Sequence, residues 1–315
     1  MKLRKFSLLL ALLSIIGIGF ITSCSDNSTT PTENTAVPNA PTGLMANSID
    51  KSTVGLKWTL SSSEKDSLFK GYTIDITGGA SMNTIELAKG STNVDISNLS
   101  IGTEYTFTVK AVYTNGKTSV AAVISWAPAY RFTDIKLYES ASGYGSGLQL
   151  YEATSGLPQN LTVGNKEKWD IGLDTKLESY DIGTPYLLSY TGFDETNTKK
   201  TLIIIDTLHK NVTSLDDVYD TQLMMPTTAN SVNFNGVTTG FIIVVKTVEG
   251  NFAKILLKPS GGQLLQGTSP NRYVLVDISY QKIVNKPYAL AAPGNPYSKK
   301  LENNAIITNI KKTEY

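Results

Sequence analysis

Cysteine and histidine are almost missing from this sequence, which has one of each in 315 residues. A disulfide framework and a zinc site built on several cysteine and histidine ligands are therefore excluded. Any Ser–His or Cys–His catalytic pair would depend on His209 alone, and no other pattern assembles a nucleophile, a base and an orienting group. We predict that the protein is not an enzyme and carries no metal site. A secreted hydrolase is the lesser alternative.

The chain also lacks a surplus of positive charge. It has 28 Lys and Arg residues against 27 Asp and Glu, and three of the basic residues are Lys2, Arg4 and Lys5. Without these three the balance is slightly negative, so no basic surface is predicted to neutralise phosphates. We expect no nucleic-acid partner. The length suits two domains with real cores.

The N-terminus combines a basic start with an apolar stretch at 6–20 and small residues after it. About 16 apolar residues fall short of the ~20 that a membrane-spanning helix needs, so a secretory signal is favoured over a transmembrane anchor. Cys24 directly follows Ile21, Thr22 and Ser23. This order resembles the lipobox of bacterial lipoproteins.

That resemblance implies that the signal peptide, 1–23, is removed and that Cys24 carries acyl chains such as palmitate. Two or more chains anchor a protein stably, whereas one chain holds it only marginally. Ser25 fits sorting to the outer membrane. Residues 24–40 are rich in Ser, Thr, Asn and Pro and are predicted to be a flexible tether. The expected location is the outer membrane or cell surface, with the membrane itself as a partner through the lipid.

From Pro41 the pattern changes to short runs in which apolar and polar residues alternate. Gly, Asn, Ser or Asp bounds each run, which predicts antiparallel strands in a β-sandwich. The apolar positions of three runs are Val54, Leu56 and Trp58; Tyr72, Ile74 and Ile76; and Tyr105, Phe107 and Val109.

Residues 41–127 also resemble a fibronectin type III domain. The segments that carry the resemblance are 41–44, Trp58, 71–74 and 99–112. It implies a buried Trp58 and a tyrosine corner in which Tyr105 bonds to the backbone near Leu99. The chain lacks the Arg-Gly-Asp sequence that some members present. We therefore expect this domain to be a rigid spacer or docking module, since a fold alone does not define a function.

Pro128 ends the sandwich, and 130–288 has the size of a second, β-rich domain. The apolar run at 202–205 predicts a strand buried on both faces. The other predicted elements are an alternating strand at Trp169, Ile171 and Leu173, a hairpin of 241–247 and 252–257, a strand at 273–280 and one short helix at 214–221. Residues 289–315 form either a tail or an edge strand. The fold class is therefore all-β.

The second domain resembles HmuY-like haem-binding lipoproteins. The matching segments are 168–173, 213–218, 241–255 and 273–280. The resemblance implies a haem held by axial His or Met side chains, and this chain offers His209, Met224 and Met225. His/Met ligation is chemically allowed. The alternatives are a solvated histidine in a Lys-flanked loop and methionines that fill the core.

Three other patterns carry weaker signals. Tyr180, Tyr186 and Tyr190 could line a sugar or haem face or could be strand residues. Two carboxylate pairs, Asp216/Asp217 and Asp170/Asp174, are typical of caps and solvated faces. The Gly-rich segment 143–147 has no following Lys or helix signal and is predicted to be a loop or bulge.

These patterns together predict a lipid-anchored, non-enzymatic binding protein. Haem or a related tetrapyrrole is the first ligand to consider, and binding of a glycan or surface protein is the alternative. Aromatic side chains lining a groove would favour a glycan. A deep apolar pocket containing His209 or a Met would favour haem, and two converging carboxylates would favour hydrolysis.

Overall fold

Antiparallel strands dominate the computed structural model, which describes residues 35–80, 83–176, 179–188, 198–221 and 223–288. The predicted all-β class is confirmed. The helical elements in this part of the chain are short 3-10 turns at Ser62–Lys65, Val163–Lys168, Pro185–Leu187 and Leu215–Asp217.

The first region is a sandwich of a three-stranded and a four-stranded sheet. In chain order its strands are β1 (Thr42–Ser48), β2 (Val54–Thr59), β3 (Phe69–Thr77), β4 (Asn83–Ala88), β5 (Asn93–Ile96), β6 (Tyr105–Tyr113) and β7 (Ala122–Trp126). The sheet orders are β1-β2-β5 and β4-β3-β6-β7. This is the arrangement that the alternating pattern predicts.

The sandwich core contains the residues that the period-two pattern selects. Trp58 is buried, and its ring lies 5.7 Å from that of Tyr72 in an edge-on contact. The Tyr105 hydroxyl accepts a hydrogen bond of 2.9 Å from the Ser100 amide, next to Leu99. The predicted tyrosine corner is therefore confirmed.

The second region consists of a five-stranded and a six-stranded sheet. Its strands are β8 (Tyr130–Tyr138), β9 (Gly147–Glu152), β10 (Leu157–Leu161), β11 (Ile171–Asp174), β12 (Asp181–Gly183), β13 (Leu202–Ile205), β14 (Ser231–Asn233), β15 (Phe241–Lys246), β16 (Phe252–Lys258), β17 (Leu265–Gln266) and β18 (Tyr273–Tyr280). The sheet orders are β10-β9-β11-β12-β14 and β13-β15-β16-β18-β17, with β8 also paired to β18. The predicted hairpin is β15–β16.

The central strands of the larger sheet are covered on both faces, which explains their continuous apolar runs. Ile243 and Val245 face the five-stranded sheet, whereas Val244 joins the apolar cluster of the first sandwich. The prediction that 202–205 is buried on both faces is wrong. This strand, β13, ends the path of its sheet, and only Ile203 among its residues is fully buried.

The predicted helix at 214–221 is also wrong, because only the turn Leu215–Asp217 forms. Ser214 does cap this turn by accepting a hydrogen bond of 3.1 Å from the Asp216 amide. The chain then extends so that Asp220 pairs through its backbone with Ala46 of β1. A tertiary pairing with the first sandwich has therefore replaced the local helix preference.

The two sandwiches are joined by a shared apolar cluster as well as by this backbone pairing. Leu223, Phe252 and Tyr288 belong to the same cluster as the sandwich residues Leu44 and Trp126. In addition, the buried Asn47 side chain donates to the carbonyls of Leu215 (2.8 Å) and Asp216 (3.1 Å). The described residues from Ala36 onward consequently form one compact unit.

Candidate functional site

A cleft of about 470 Å³ lies beside the segments that lead into β12 and β18 and out of β14. This volume is within the range of small-molecule binding sites, roughly 300–1,000 Å³. The cleft is lined by Tyr180, Phe234, Gly236, Val237, Thr238, Gly262, Gln263, Leu264, Leu265, Gly267 and Arg272.

Two aromatic rings form one side of the cleft. The rings of Tyr180 and Phe234 have centroids 6.1 Å apart. The Phe234 amide donates to the Tyr180 carbonyl (2.9 Å), and the Tyr180 amide donates to Asn235 Oδ1 (2.6 Å). Because these bonds continue the pairing of β12 with β14, the sheet itself fixes the two aromatic residues beside each other.

Arg272 supplies the charged group of the cleft. Its Nε and Nη2 donate to Glu139 Oε2 at 2.9 and 2.7 Å, and Nη2 also donates to Thr175 Oγ1 at 3.0 Å. The guanidinium carbon lies 5.7 Å from the centroid of the Tyr180 ring. The guanidinium is therefore held against an aromatic face, in a geometry that favours a cation–π contact.

The buried Glu139 stays charged in this arrangement. Burial raises the pKa of its carboxyl, but the hydrogen bonds from Arg272 and Thr175 outweigh that effect and leave the pKa below its usual value. The Arg272 charge is thus balanced by a buried carboxylate. The cleft presents fixed donors and aromatic faces without a net excess of charge.

His209 is not among the residues that line the cleft. Its Nδ1 lies 2.7 Å from Asp206 Oδ2, and its Nε2 lies 3.3 Å from the Tyr219 carbonyl oxygen and 3.6 Å from Asp220 Oδ1. The side chain is 19% exposed, so it is not the solvated loop histidine of the alternative interpretation. An iron ligand at this position would have to give up one of these contacts.

The environment of His209 favours its charged form. Burial lowers the pKa of the imidazole, but the hydrogen bond to Asp206 and the charges of Asp220 and Asp206 outweigh burial and raise the pKa above its usual value. A protonated imidazole has no lone pair for a metal. Meanwhile Met224 packs against the cluster of the first sandwich, and Met225 is 41% exposed. Neither methionine lines the cleft.

The structure separates the other sequence candidates. Of the tyrosines, Tyr180 lines the cleft. The ring centroid of Tyr186 lies 5.0 Å from Lys200 Nζ, and Tyr190 is outside the described residues.

The two carboxylate pairs form ion pairs away from the cleft. Asp216 bonds to Arg131 (2.7 Å), and Asp170 bonds to Lys199 (3.1 Å). Neither pair lines the cleft, and its described lining includes no Asp, Glu, His or Cys.

Cys24, predicted to carry the lipid, lies outside the described residues, as do the predicted signal peptide 1–23, most of the predicted tether 24–40 and residues 289–315. No helix in the described part of the chain is long and apolar enough to span a bilayer. The same part of the chain contains no cluster of three or more His, Cys, Asp or Glu side chains arranged to hold a metal ion.

Sequence reasoning missed Phe234, Arg272 and Glu139. Arg272 and Glu139 are 133 positions apart in the chain, so no local spacing could have paired them. Phe234 directly follows a strand of three residues that is too short to show a period. Tyr180 was found only as one member of a tyrosine-rich stretch.

Residues 39–131 match the family model of the fibronectin type III domain. Structures similar to this part of the chain include the FN5 domain of Drosophila Lar (19% identity, TM-score 0.24). They also include an FN3 domain of human collagen XX (21% identity, TM-score 0.24). Each alignment covers 29% of this chain, and 98% and 92% of those two structures. No curated protein matches the chain significantly. The family model thus covers the first region, where the fibronectin type III resemblance was predicted.

Proposed function

We propose that this protein is a non-enzymatic binding protein, anchored to the outer membrane or cell surface by lipid on Cys24, whose second domain binds a glycan. The observation that supports this is the cleft of about 470 Å³, in which Tyr180 and Phe234 lie beside the fixed guanidinium of Arg272. Aromatic faces in a groove are the feature that favours a sugar over the other ligand classes.

The chemistry of the cleft suits an uncharged or weakly charged sugar. Aromatic rings provide a large apolar contact area for the C–H faces of a pyranose. Arg272, Gln263 and Thr238 provide donors and acceptors for hydroxyl groups, and specific sites typically use a few such groups for orientation. Because Glu139 already balances the charge of Arg272, a strongly anionic ligand is not required.

Haem is the second candidate, and the resemblance to HmuY-like lipoproteins is what favours it. Axial ligation would use His209, with Met224 or Met225 as the second ligand. The contacts of His209 with Asp206 and Tyr219 stand against this, because both ring nitrogens are engaged. We therefore rank haem below a glycan.

The lipid anchor rests on the lipobox-like order around Cys24, and the fibronectin type III domain then serves as a spacer or docking module. The predicted tether, 24–40, would join the lipid to the folded part of the chain. Its last residues pack on the sandwich, where the Asn39 amide donates to Ser63 Oγ (2.9 Å). If the fibronectin type III domain acts in docking, its partner is a protein on a cell surface.

The test is calorimetric titration of the full chain, in detergent, with neutral oligosaccharides of glucose, mannose, xylose and N-acetylglucosamine. We expect binding of at least one of them, and we expect Tyr180→Ala to weaken it at least tenfold. The matched control is Tyr144→Ala, which removes an exposed tyrosine that does not line the cleft. Failure of every sugar to bind, or equal affinity for wild type and Tyr180→Ala, contradicts the proposal. Haemin titration with a Soret readout on wild type and His209→Ala tests the second candidate.

A further inference from the structure

Lys254 of β16 is a fully buried lysine whose side-chain nitrogen lies beside the buried carboxyl group of Asp220. Its side chain is 0% exposed, and Nζ lies 3.4 Å from Asp220 Oδ2 and 3.4 Å from the Val218 carbonyl oxygen. Lys258, four residues along the same strand, is 19% exposed and forms two ordinary ion pairs at 2.6 and 2.7 Å. The Lys254–Asp220 pair is thus longer and less exposed to solvent than either ion pair of Lys258.

Aromatic rings surround this lysine. Nζ lies 5.1 Å from the ring centroid of Tyr288 and 5.8 Å from that of Trp126, and both rings are fully buried. Burial lowers the pKa of Lys254, and burial also raises the pKa of Asp220. Both shifts lower the free-energy cost of moving a proton from the Lys254 ammonium to the Asp220 carboxylate. For Lys258, in contrast, bonds to Asp134 and Asp277 outweigh burial and raise the pKa.

A third group faces the other oxygen of the same carboxyl. His209 Nε2 lies 3.6 Å from Asp220 Oδ1, and Asp206 Oδ2 holds Nδ1 at 2.7 Å on the opposite edge of the ring. Nε2 also lies 3.3 Å from the Tyr219 carbonyl oxygen, which accepts its N–H, so the imidazole would have to turn away from that oxygen to donate to Oδ1. The lysine amine lies on the side of Oδ2. An amine, a carboxyl group and a donor for the carboxyl oxygen are in this way assembled within one buried site.

We propose that Lys254 and Asp220 form an intramolecular amide bond after folding. The amine lone pair of Nζ attacks Cγ of the protonated Asp220, and negative charge develops on Oδ1, where His209 can stabilise it. The Cγ–Oδ2 bond then breaks, and the hydroxyl leaves with one amine hydrogen as water. The product is one N–H amide and one water molecule. The starting pair and the products contain the same atoms and electrons, so no oxidant or reductant is needed.

The bond would have a clear structural consequence. Asp220 pairs through its backbone with Ala46 of the fibronectin type III domain, whereas Lys254 lies in the six-stranded sheet of the second region. An amide between them closes a loop of 34 positions. A covalent cross-link restricts the unfolded chain and therefore secures the junction between the domains. This inference does not depend on the proposed glycan site.

The test is the intact mass of the purified, fully denatured chain after prolonged incubation in the folded state. We expect a mass below that of the linear chain by one water molecule. Trypsin should yield 211–246 joined to 247–272, uncut at Lys254. Asp220→Asn is the diagnostic variant, because an asparagine would lose one ammonia instead of one water. Lys258→Met, which changes a lysine of the same strand that also has carboxylate partners, should retain the loss of water.

A folded wild-type chain that keeps its full linear mass, with free cleavage after Lys254, overturns the proposal. So does a loss of water that persists in Lys254→Met, because the bond would then lie elsewhere. His209→Ala tests the role of the imidazole. We expect it to slow the mass change at least tenfold in folded protein, and an unchanged rate would show that His209 takes no part in the step.

Discussion

Gly147 packs directly against the indole of Trp169. A Cβ atom at Gly147 would lie 1.8 Å from Trp169 Cδ2 and 2.1 Å from Cε2, and the indole is fully buried. Glycine is therefore the residue that lets β9 pass over the ring. Gly143, four positions earlier in the same Gly-rich segment, has no atom within 4 Å of the corresponding position.

Because only Gly147 lies against a buried ring, substitution by alanine should have different effects at Gly147 and at Gly143. Gly147→Ala should destabilise the protein by about 1–3 kcal/mol or more, because overpacking displaces buried side chains. Gly143→Ala should change the free energy of unfolding by less than about 0.5 kcal/mol. Urea unfolding of both variants measures the difference. Equal stability of the two variants would show that the indole can move aside at no cost.

The Gly-rich segment also shows how far sequence reasoning extends. A loop or bulge was predicted there from the absence of a Lys and a helix signal. The contact of Gly147 with Trp169 was not predictable, because it joins residues from two different strand regions. The strands of the first domain were predicted well, since Trp58, Tyr72 and Tyr105 are all buried and each has local polar neighbours. Period-two alternation reports burial on one face directly.

The second domain was less predictable for a physical reason. Strands covered on both faces show no alternation, so the role of Val244 in contacting the first domain is invisible in its apolar run. The cleft depends on Arg272 and Glu139, which meet only after β8 and β18 have paired. The helix expected at 214–221 failed because a distant strand pairs with Asp220. Contacts between residues far apart in the chain therefore form the cleft, and such a contact also explains why the helix prediction at 214–221 was wrong.

The core position of Trp58 predicts a large loss of stability when it is truncated. Trp58→Ala should cost about 3–5 kcal/mol, the usual effect of removing a large buried aromatic side chain. Val120→Ala, at an exposed position of the same domain, should stay within about 0.5 kcal/mol of wild type. Chemical unfolding followed by far-UV circular dichroism gives both values. A Trp58→Ala variant that unfolds like wild type would contradict the burial of this ring.

The hydrogen bonds of Asn47 to Leu215 and Asp216 join the two sandwiches, so we expect their loss to lower the free energy of unfolding. Asn47→Ala leaves the carbonyls of Leu215 and Asp216 without this donor, and leaving a buried acceptor unsatisfied typically costs about 1–3 kcal/mol. Because the two domains share one apolar cluster, we expect a single unfolding transition at lower denaturant concentration. Intrinsic fluorescence and circular dichroism should report the same midpoint. Two separated transitions in wild type would show that the domains unfold independently.

The sequence around Cys24 predicts lipid attachment. The mature chain should begin at Cys24, carry acyl groups and partition with membranes. Cys24→Ala should accumulate as an uncut, unlipidated precursor, because the thiol that accepts the lipid is gone. Cys24→Ser is the closer control, since it keeps the size of the side chain and still lacks the thiol. Mass spectrometry of membrane fractions decides the matter. An unmodified Cys24 on a protein outside the membrane fraction would contradict the prediction.

Asp170 predicts a specific dependence of stability on pH. Burial raises the pKa of its carboxyl from 3.8 to about 6, although Lys199 at 3.1 Å opposes this shift. Because the folded state favours the neutral acid, the stabilisation is fully present below pH 3.8 and is lost as the pH rises through about 6. A change in the pKa from 3.8 to about 6 corresponds to about 3 kcal/mol of unfolding free energy.

The difference in unfolding free energy between wild type and Asp170→Asn isolates this contribution, because other titrating groups cancel. That difference should fall by about 3 kcal/mol between pH 4 and pH 7 and then level off. Asp75→Asn is a control whose effect on stability should depend on pH in the opposite direction. Hydrogen bonds from Lys110 and Thr84 lower the Asp75 pKa, so its stabilisation is present at neutral pH and disappears as the pH falls below the usual value. A difference for Asp170→Asn that stays constant from pH 4 to pH 7 would mean that Lys199 keeps the buried carboxylate charged throughout.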